Sequence, residues 1–242
     1  MAGTTLFISD LHLDAKRPDI TALFLNFLRT DAALAQALYI LGDLFEAWIG
    51  DDDPAPEYQS VIGALHALSA QGVSLYFMHG NRDFLLGSGF ATRVGCTLLP
   101  DPTLIDLYGT PTLLMHGDTL CTDDVAYQQF RAMVRDPDWQ REFLAKPLAV
   151  RRQIAEAARV ESAAHTATAA YEIMDANQNA VNALLRTHHV TQLIHGHTHR
   201  PAVHEFTLND TRARRIVLGD WYEQGSVLRC DENGCRLDSL RA

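Results

Sequence analysis

Five separate apolar runs in this chain are followed at once by side chains that bind divalent cations. They are Asp10 and His12 after TLFIS, Asp43 after ALYIL, Asn81 after VSLYFM, His116 after PTLLM, and His197 with His199 after VTQLI. Holding two cations side by side takes about seven oxygen and imidazole donors on one edge of a scaffold, with a carboxylate able to bridge both ions. The donors here run from residue 10 to residue 199, so the fold must gather distant segments at one place. An open α/β sheet does so, because its ligand crevice lies beyond the carboxyl ends of its strands.

The intervening sequence agrees with that architecture. TTLFIS, ALYIL, VSLYFM and PTLLM are short, apolar and end at polar or glycine signals, which predicts strands. Pro18 to Thr30 and Pro56 to Ala70 carry apolar residues at three- and four-residue spacing and start near a proline, which predicts helices. Strands separated by helices imply parallel pairing with both sheet faces covered. From Cys121 to His189 the alternation stops. That stretch is rich in Ala, Arg, Glu and Gln and broken at Pro137 and Pro147, which predicts several helices in succession. The expected division is a core of residues 1–120 and 190–242 with a helical insertion at 121–189, whose ends lie beside His116 and His197. VTQLI, RRIVL and a C-terminal hairpin, SVLRC and CRLDSL around DENG, complete the core.

Composition bounds the partners. At 242 residues and 47% apolar content the chain fits one large domain or a domain carrying an insertion. The N-terminus lacks the basic and long apolar regions of a signal peptide, and no apolar run nears the roughly 18 to 20 residues that span a bilayer. The expected location is the cytosol or its face of a membrane. A formal charge of −10 argues against nucleic acid as a partner, since such binding rests on basic surface. Residues 141–159 run against this average, with Arg141, Lys146, Arg151, Arg152 and Arg159 facing only Glu142 and Glu156. Two readings stay open for this basic helix, a membrane-surface contact and a solvated face. Cys96, Cys121, Cys230 and Cys235 form no CxxC pattern and are read as buried or incidental thiols; of these, only Cys230 and Cys235 can face each other across a hairpin.

Within the ligand fragments, the two-residue spacing of Asp10 and His12 puts both on one side of an extended strand end. Asn81 offers a neutral carbonyl, Arg82 a planar fork for phosphate, and Asp83 a carboxylate that can orient a neighbour. His79 and His195 read as supporting groups rather than ligands. Asp51, Asp52 and Asp53 read as a solvated acidic loop, with a further cation site as the alternative. Trp48, Trp139 and Trp221 read as core or interface aromatics. His188 and His189 have no evident partner. Tyr127, Phe130, Met133 and Val134 either line an apolar pocket or pack as an ordinary helix.

DLHL, GDLFE, GNRDF, HGD and GHTH together resemble the calcineurin-like metallophosphoesterase superfamily. The resemblance implies a four-layer αββα sandwich with the dinuclear site at the sheet edge. It assigns Asp10, His12 and His199 to one ion, Asn81, His116 and His197 to the other, and Asp43 to a bridge between them. That superfamily usually has GNH where this chain has GNRD, which removes a histidine general acid. LYILGDLFEAWIGDDD, FMHGNRDFLLG, LMHGDTLCTDD, EIMDANQNAV and LIHGHTHRPAVH narrow the resemblance to the UDP-2,3-diacylglucosamine diphosphatases of lipid A biosynthesis.

That narrower resemblance implies two Mn2+ ions per chain, a peripheral location on the cytoplasmic face of the inner membrane, and no obligate protein partner. It implies cleavage of UDP-2,3-diacylglucosamine into UMP and 2,3-diacylglucosamine 1-phosphate by hydroxide attack on the phosphorus nearer uridine. Asp43, Asn81 and Arg82 would carry the chemistry, while Asn81, Arg82, Asp124, Ser162, Thr166 and His197 would contact substrate. The insertion would act as a lid over the acyl chains, each buried methylene contributing about 0.8 kcal/mol. Thr166 and Ala169 stand where better-known members carry Asn and Lys, which weakens headgroup contacts unless another lid residue compensates. The competing readings are another phosphodiesterase or phosphatase of the superfamily, and a metal-dependent binding protein without catalysis.

Overall fold

The computed structural model describes residues 3–168 and 173–240, without the side chains at 163 and 165–168. Its first sheet is built around β1 (Thr5–Ile8), whose four residues are all buried. Side chains alternate across a strand, so Leu6 and Ile8 join the core beneath the helices while Phe7 joins the core between the sheets. β2 (Ala37–Leu41), β3 (Ser74–Met78) and β4 (Cys96–Leu99) follow in parallel register. On the other side of β1 lie β10 (Gly225–Asp231) and β11 (Gly234–Leu240), the antiparallel hairpin that ends the sheet. The order is β11-β10-β1-β2-β3-β4.

The second sheet comprises β5 (Thr103–Leu107), β6 (Thr110–Met115), β7 (Gln192–His195), β8 (Ala202–Leu208) and β9 (Thr211–Val217) in the order β5-β6-β7-β9-β8. β6, β7 and β9 run parallel, and β5 and β8 are antiparallel edges. Leu113, Met115, Ile194 and Ile216 meet Phe7, Leu41 and Met78 of the first sheet in one buried cluster. α1 (Pro18–Thr30), α2 (Gln59–Ala70) and α3 (Ser88–Val94) cover the outer face of the first sheet. α1 does so with Ile20, Leu23, Phe24, Phe27 and Leu28, a stripe at helical spacing. The result is the mixed α/β arrangement of two sheets and flanking helices.

Between β6 and β7 in the chain come α4 (Val125–Val134), α5 (Pro137–Leu144), α6 (Leu148–Thr168) and α7 (Gln178–Thr187). Asp124, Asp136 and Asn177 start α4, α5 and α7 by accepting backbone N–H groups of the first turn. α5 packs on the first core cluster through Phe143, with Trp139, Leu148 and Ala155 against it, whereas α7 packs on the second. Its Val181 and Leu185 are fully buried in the cluster between the sheets and their cover, so it packs with the core although it lies within residues 121–189. Among the described residues no helix is long and apolar enough to cross a membrane.

Two local expectations change. The helix expected from Pro56 starts as a short tight turn at Pro56–Tyr58 before α2 begins. Cys230 and Cys235, read as buried or incidental thiols, face each other at a paired position of β10 and β11 and form a disulfide.

Candidate metal centre

Five of the seven expected ligands, those after β1, β2 and β7, sit in a backbone state that few residues accept. Asp10, His12, Asp43, His197 and His199 all have φ between 48° and 68°. Such left-handed positions cost about 1–3 kcal/mol each for a non-glycine residue, and Asp and His are among the side chains found there most often. The cost is met by pairing: the Asp10 and His12 N–H groups donate to Gly42 O (3.1 Å) and Asp43 O (2.9 Å), and Gly196 N–H donates to His116 O (2.8 Å). Glycines make room between the loops. A Cβ on Gly80 would collide with Asp43 Oδ1 and its backbone nitrogen, and one on Gly196 would collide with Ser9 Oγ and Asp10 Oδ2.

In the first half of the cluster, Asp10, His12 and His199 offer donor atoms within 4.8 Å of one another, as do Asp10, Asp43 and His116. His12 Nε2 lies 3.3 Å from His199 Nε2 and 3.6 Å from Asp43 Oδ2. In the second half, Asn81 Oδ1 lies 3.0 Å from His116 Nε2 and 2.9 Å from His197 Nδ1. Asp43 Oδ2 is also 3.9 Å from His116 Nε2, so this carboxylate stands between the halves. Asp10 Oδ1 is buried without a hydrogen-bond partner among the described residues. Ring nitrogens and carboxylate oxygens turned toward one another with unspent lone pairs fit divalent cations that accept mixed imidazole and oxygen donors.

The electrostatics point the same way. Burial opposes ionisation of Asp10, but His199, His116 and His12 hold its carboxyl far below the usual range. Burial also opposes charge on His116, yet Asp43, Asp118 and Asp10 push its imidazole up to about 9. Burial and the charge of His116 push His197 down to about 4. An edge that draws a proton onto a buried imidazole is one that attracts a cation.

The supporting contacts lie one layer back. Asp83 accepts N–H groups from Gly80 (2.9 Å), Leu44 (2.8 Å) and Asp43 (3.3 Å), so it shapes two ligand loops at once. Burial and the neighbouring Asp43 push its carboxyl up to about 7. His116 Nδ1 bonds to Leu41 O (2.9 Å), and His12 Nδ1 to Glu46 Oε2 (3.1 Å), contacts that leave each Nε2 facing the cluster. For Glu46, burial opposes the charge, but the His12 hydrogen bond with Arg82 and Arg159 holds its carboxyl down to about 2. His79 and His195 stay outside the cluster, bonded to the backbone at Leu86 and Gly196.

Beside Asn81 and Arg82 a cavity of about 570 Å³ opens beneath α4, α5 and α6. Trp48, Phe84, Phe130, Met133, Trp139 and Phe143 line it, with Tyr127 and Val134 also at its wall. The pocket reading of α4 is therefore the one the structure favours. Trp139 stacks on Phe143 at 5.1 Å, packs against the core beneath the helices and also lines the cavity. Arg82 donates to Ser162 Oγ at 3.2 Å, and its Nε is buried with no partner among the described residues, a donor available for an anion. Asp124 is buried, caps α4 through the Tyr127 N–H (3.0 Å), and does not line this cavity. The Thr166 side chain and Ala169 lie outside the described residues.

Arginines fasten the helices above the site. Arg151, almost fully buried, pairs with Asp52 and donates to Ile49 O (2.6 Å), and Arg152 pairs with Asp53 at 2.6 Å. Asp51 accepts from Trp48 Nε1 and from the N–H groups of Gly87 and Phe90. The loop expected to be solvated is thus a clasp, because every one of its carboxylates has a specific donor. On α4, Arg131 pairs with Asp118 (2.6 Å), Tyr127 donates to the same carboxylate (2.7 Å), and Arg135 donates to Gly80 O (2.8 Å). Glu46, Asp118, Arg131 and Arg159 were not among the expected site residues. Glu46 sat inside GDLFE between Phe45 and Ala47, a charge with apolar neighbours, and Asp118 directly follows the ligand fragment of His116; those positions are the signal that marks them.

Comparison with known proteins agrees with this architecture. Residues 3–201 match the Calcineurin-like phosphoesterase family. The chain is 57% identical to the UDP-2,3-diacylglucosamine hydrolase of Stenotrophomonas maltophilia strain K279a, covering 98% of both chains. It is 55% identical to the enzyme of that name from Xanthomonas campestris pv. campestris, covering 98% of this chain and 99% of that one. Among solved structures, a novel archaeal phosphodiesterase superposes with a TM-score of 0.51 at 12% identity over 98% of this chain and 99% of that one, a likeness of fold. The chain belongs to the calcineurin-like phosphoesterase family.

Proposed function

We propose that this calcineurin-like phosphoesterase hydrolyses the pyrophosphate bond of UDP-2,3-diacylglucosamine, releasing UMP and 2,3-diacylglucosamine 1-phosphate for lipid A synthesis. The observation that carries the reading is the apolar cavity opening directly beside Asn81 and Arg82, so that acyl chains and a phosphate can be held at once. Its similarity over nearly full length to UDP-2,3-diacylglucosamine hydrolases supports the same substrate.

Asp10, His12 and His199 would hold one Mn2+, Asn81, His116 and His197 the other, with Asp43 shared. When bound, two such ions supply a nucleophilic hydroxide near neutral pH and neutralise phosphate charge. Arg82 binds the pyrophosphate through its unpartnered Nε, and its contact with Ser162 ties that guanidinium to α6. Asp83 keeps the Asp43 and Asn81 loops in register through the N–H groups of Gly80, Asp43 and Leu44, and so preorganises the donors. Water oxygen adds to the phosphorus nearer uridine, the bond to the bridging oxygen breaks, and the lipid-side phosphate leaves.

Residues 121–189 serve as the lid in this scheme, with α4–α6 over the acyl chains. Thr166 and Asp124 would complete the headgroup contacts with Ser162 and His197. The lid also carries the proposed attachment to the cytoplasmic face of the inner membrane. Val125, Met133, Leu144, Val150 and Val160 are exposed on α4–α6, near the basic stretch that holds Arg141 and Lys146. Vesicles containing phosphatidylglycerol should co-sediment the protein, and Val150→Asp with Val160→Asp should release it.

A mass-resolved UMP-release assay with UDP-2,3-diacylglucosamine tests the function. EDTA-treated protein should be inactive and Mn2+ should restore it; failure with every divalent ion, or faster turnover of a generic aryl phosphodiester, would reject the substrate. Hydrolysis in 18O water should place the label in UMP.

A further inference from the structure

Arg159 of α6 reaches the first cation group by a short chain of contacts. Its Nε donates to Glu46 Oε1 (3.1 Å), and Glu46 Oε2 faces His12 Nδ1 at 3.1 Å. Its Nη2 donates to Asp14 Oδ2 (3.0 Å), two residues beyond His12. The remaining nitrogen, Nη1, lies 3.3 Å from Glu156 on the same helix. Glu46 and Asp14 belong to the loops that leave β2 and β1, and those loops are already zipped by the Leu13–Phe45 bridge and by Glu46 N–H to Leu13 O (3.0 Å). One guanidinium from α6 therefore grips both the loop that carries His12 and the loop that carries Asp43.

We propose that Glu46 is a positioning residue coupling the lid to the metal centre, so that the seating of Arg159 sets the orientation of His12. The inference rests on the dinuclear-metal reading above. A carboxylate hydrogen-bonded to Nδ1 fixes both the tautomer and the plane of a ligating imidazole, leaving Nε2 as the donor. Here that carboxylate is held from its other oxygen by a residue of the lid. Glu46 and Arg159 also line the cavity, so an acyl chain that moves α6 moves the arginine that steadies the ligand. A mere structural brace would leave His12 indifferent to Arg159, whereas the shared carboxylate makes their effects interdependent.

Calorimetric titration of metal-stripped protein with Mn2+, without substrate, tests this on wild type, Glu46→Gln, Arg159→Gln and the double variant. Arg152→Gln serves as control, because Arg152 fastens α6 to Asp53 and, among the described residues, makes no hydrogen bond or ion pair with Glu46 or His12. Glu46→Gln should weaken one of the two sites about tenfold, in the range for groups that support a ligating histidine. Arg159→Gln should weaken that same site several-fold, the double variant should be no weaker than Glu46→Gln alone, and Arg152→Gln should match wild type. Arg159→Lys, which keeps the charge but cannot grip both carboxylates, should recover part of the loss. Coupled residues give non-additive effects of this kind.

Wild-type affinity in Arg159→Gln, or losses that multiply in the double variant, would overturn the coupling. Equal weakening in Arg152→Gln would also overturn it, since any loosening of α6 would then suffice. Should the wild-type protein itself take up no Mn2+ or other divalent ion, the parent reading fails first, and the two failures are told apart by that one trace.

Discussion

The sheet edge and the helices above it are held by different means. At the edge, the backbone sets the geometry: five expected ligands sit at left-handed φ, loops pair N–H to C=O across strand ends, and glycine is required where carboxylates press close. Above it, α4–α6 are fastened by long side chains, Arg131, Arg135, Arg151, Arg152 and Arg159, each reaching a carboxylate or carbonyl of the core. Backbone-built geometry is stiff and intolerant of substitution. Side-chain fastenings can release and reform, which suits the lid role proposed for α4–α6, and they place the tolerance for change in those helices rather than at the sheet edge.

The largest effect expected of this contrast is at Asp43. Asp43→Ala should lower kcat on the order of 10³-fold by removing the carboxylate between both halves, while lipid product still binds the cavity. Binding lost in parallel would show that edge and lid are not separable. Trp139→Ala should raise KM about tenfold for substrates with long acyl chains and much less for short-chain analogues, with kcat within about twofold, because it removes only apolar contact. A fall in kcat at unchanged KM would place Trp139 in the chemistry instead. Asp52→Ala strips Arg151 of its carboxylate but leaves the carbonyls of Ile49 and Lys146, so it should cost about 1–2 kcal/mol. Hydrogen exchange should then rise in α6 and not in β1–β3.

Acid should act first where Glu46 joins the His12 loop to α6. The Glu46 carboxyl is held down to about 2 from an ordinary 4.5, so its contribution is present above about 4.5 and is lost as pH falls toward 2. Exchange protection of the loop carrying His12, and to a smaller extent of α6, should therefore decline over that window before the central strands open, and uniform loss across the protein would contradict it.

Most of the edge was legible in the sequence because its ligands stand directly after apolar runs, where strand periodicity and side-chain chemistry are both visible. The left-handed turns were not, although Asp and His are the side chains that tolerate them. β4, β5 and β8 were missed because they are half-exposed and lack a continuous apolar run. The lid was legible only as helices. Its attachment depends on pairs such as Arg151 with Asp52 and Arg159 with Asp14, whose partners are 99 and 145 residues apart, and no local pattern links a charge on a helix to one such loop among several.

The pairing of β1 with β10 has a consequence for how the chain is made. Thr5, Leu6 and Phe7 lie against Cys230, Arg229 and Leu228, so β1 leaves the ribosome long before one of its two neighbours has been synthesised. Until then an apolar strand buried on both faces in the finished protein has an open edge, and such edges recruit other chains. Nascent chains stalled before the C-terminal hairpin should depend on holding chaperones far more than chains stalled just after it, whatever the state of the metal centre.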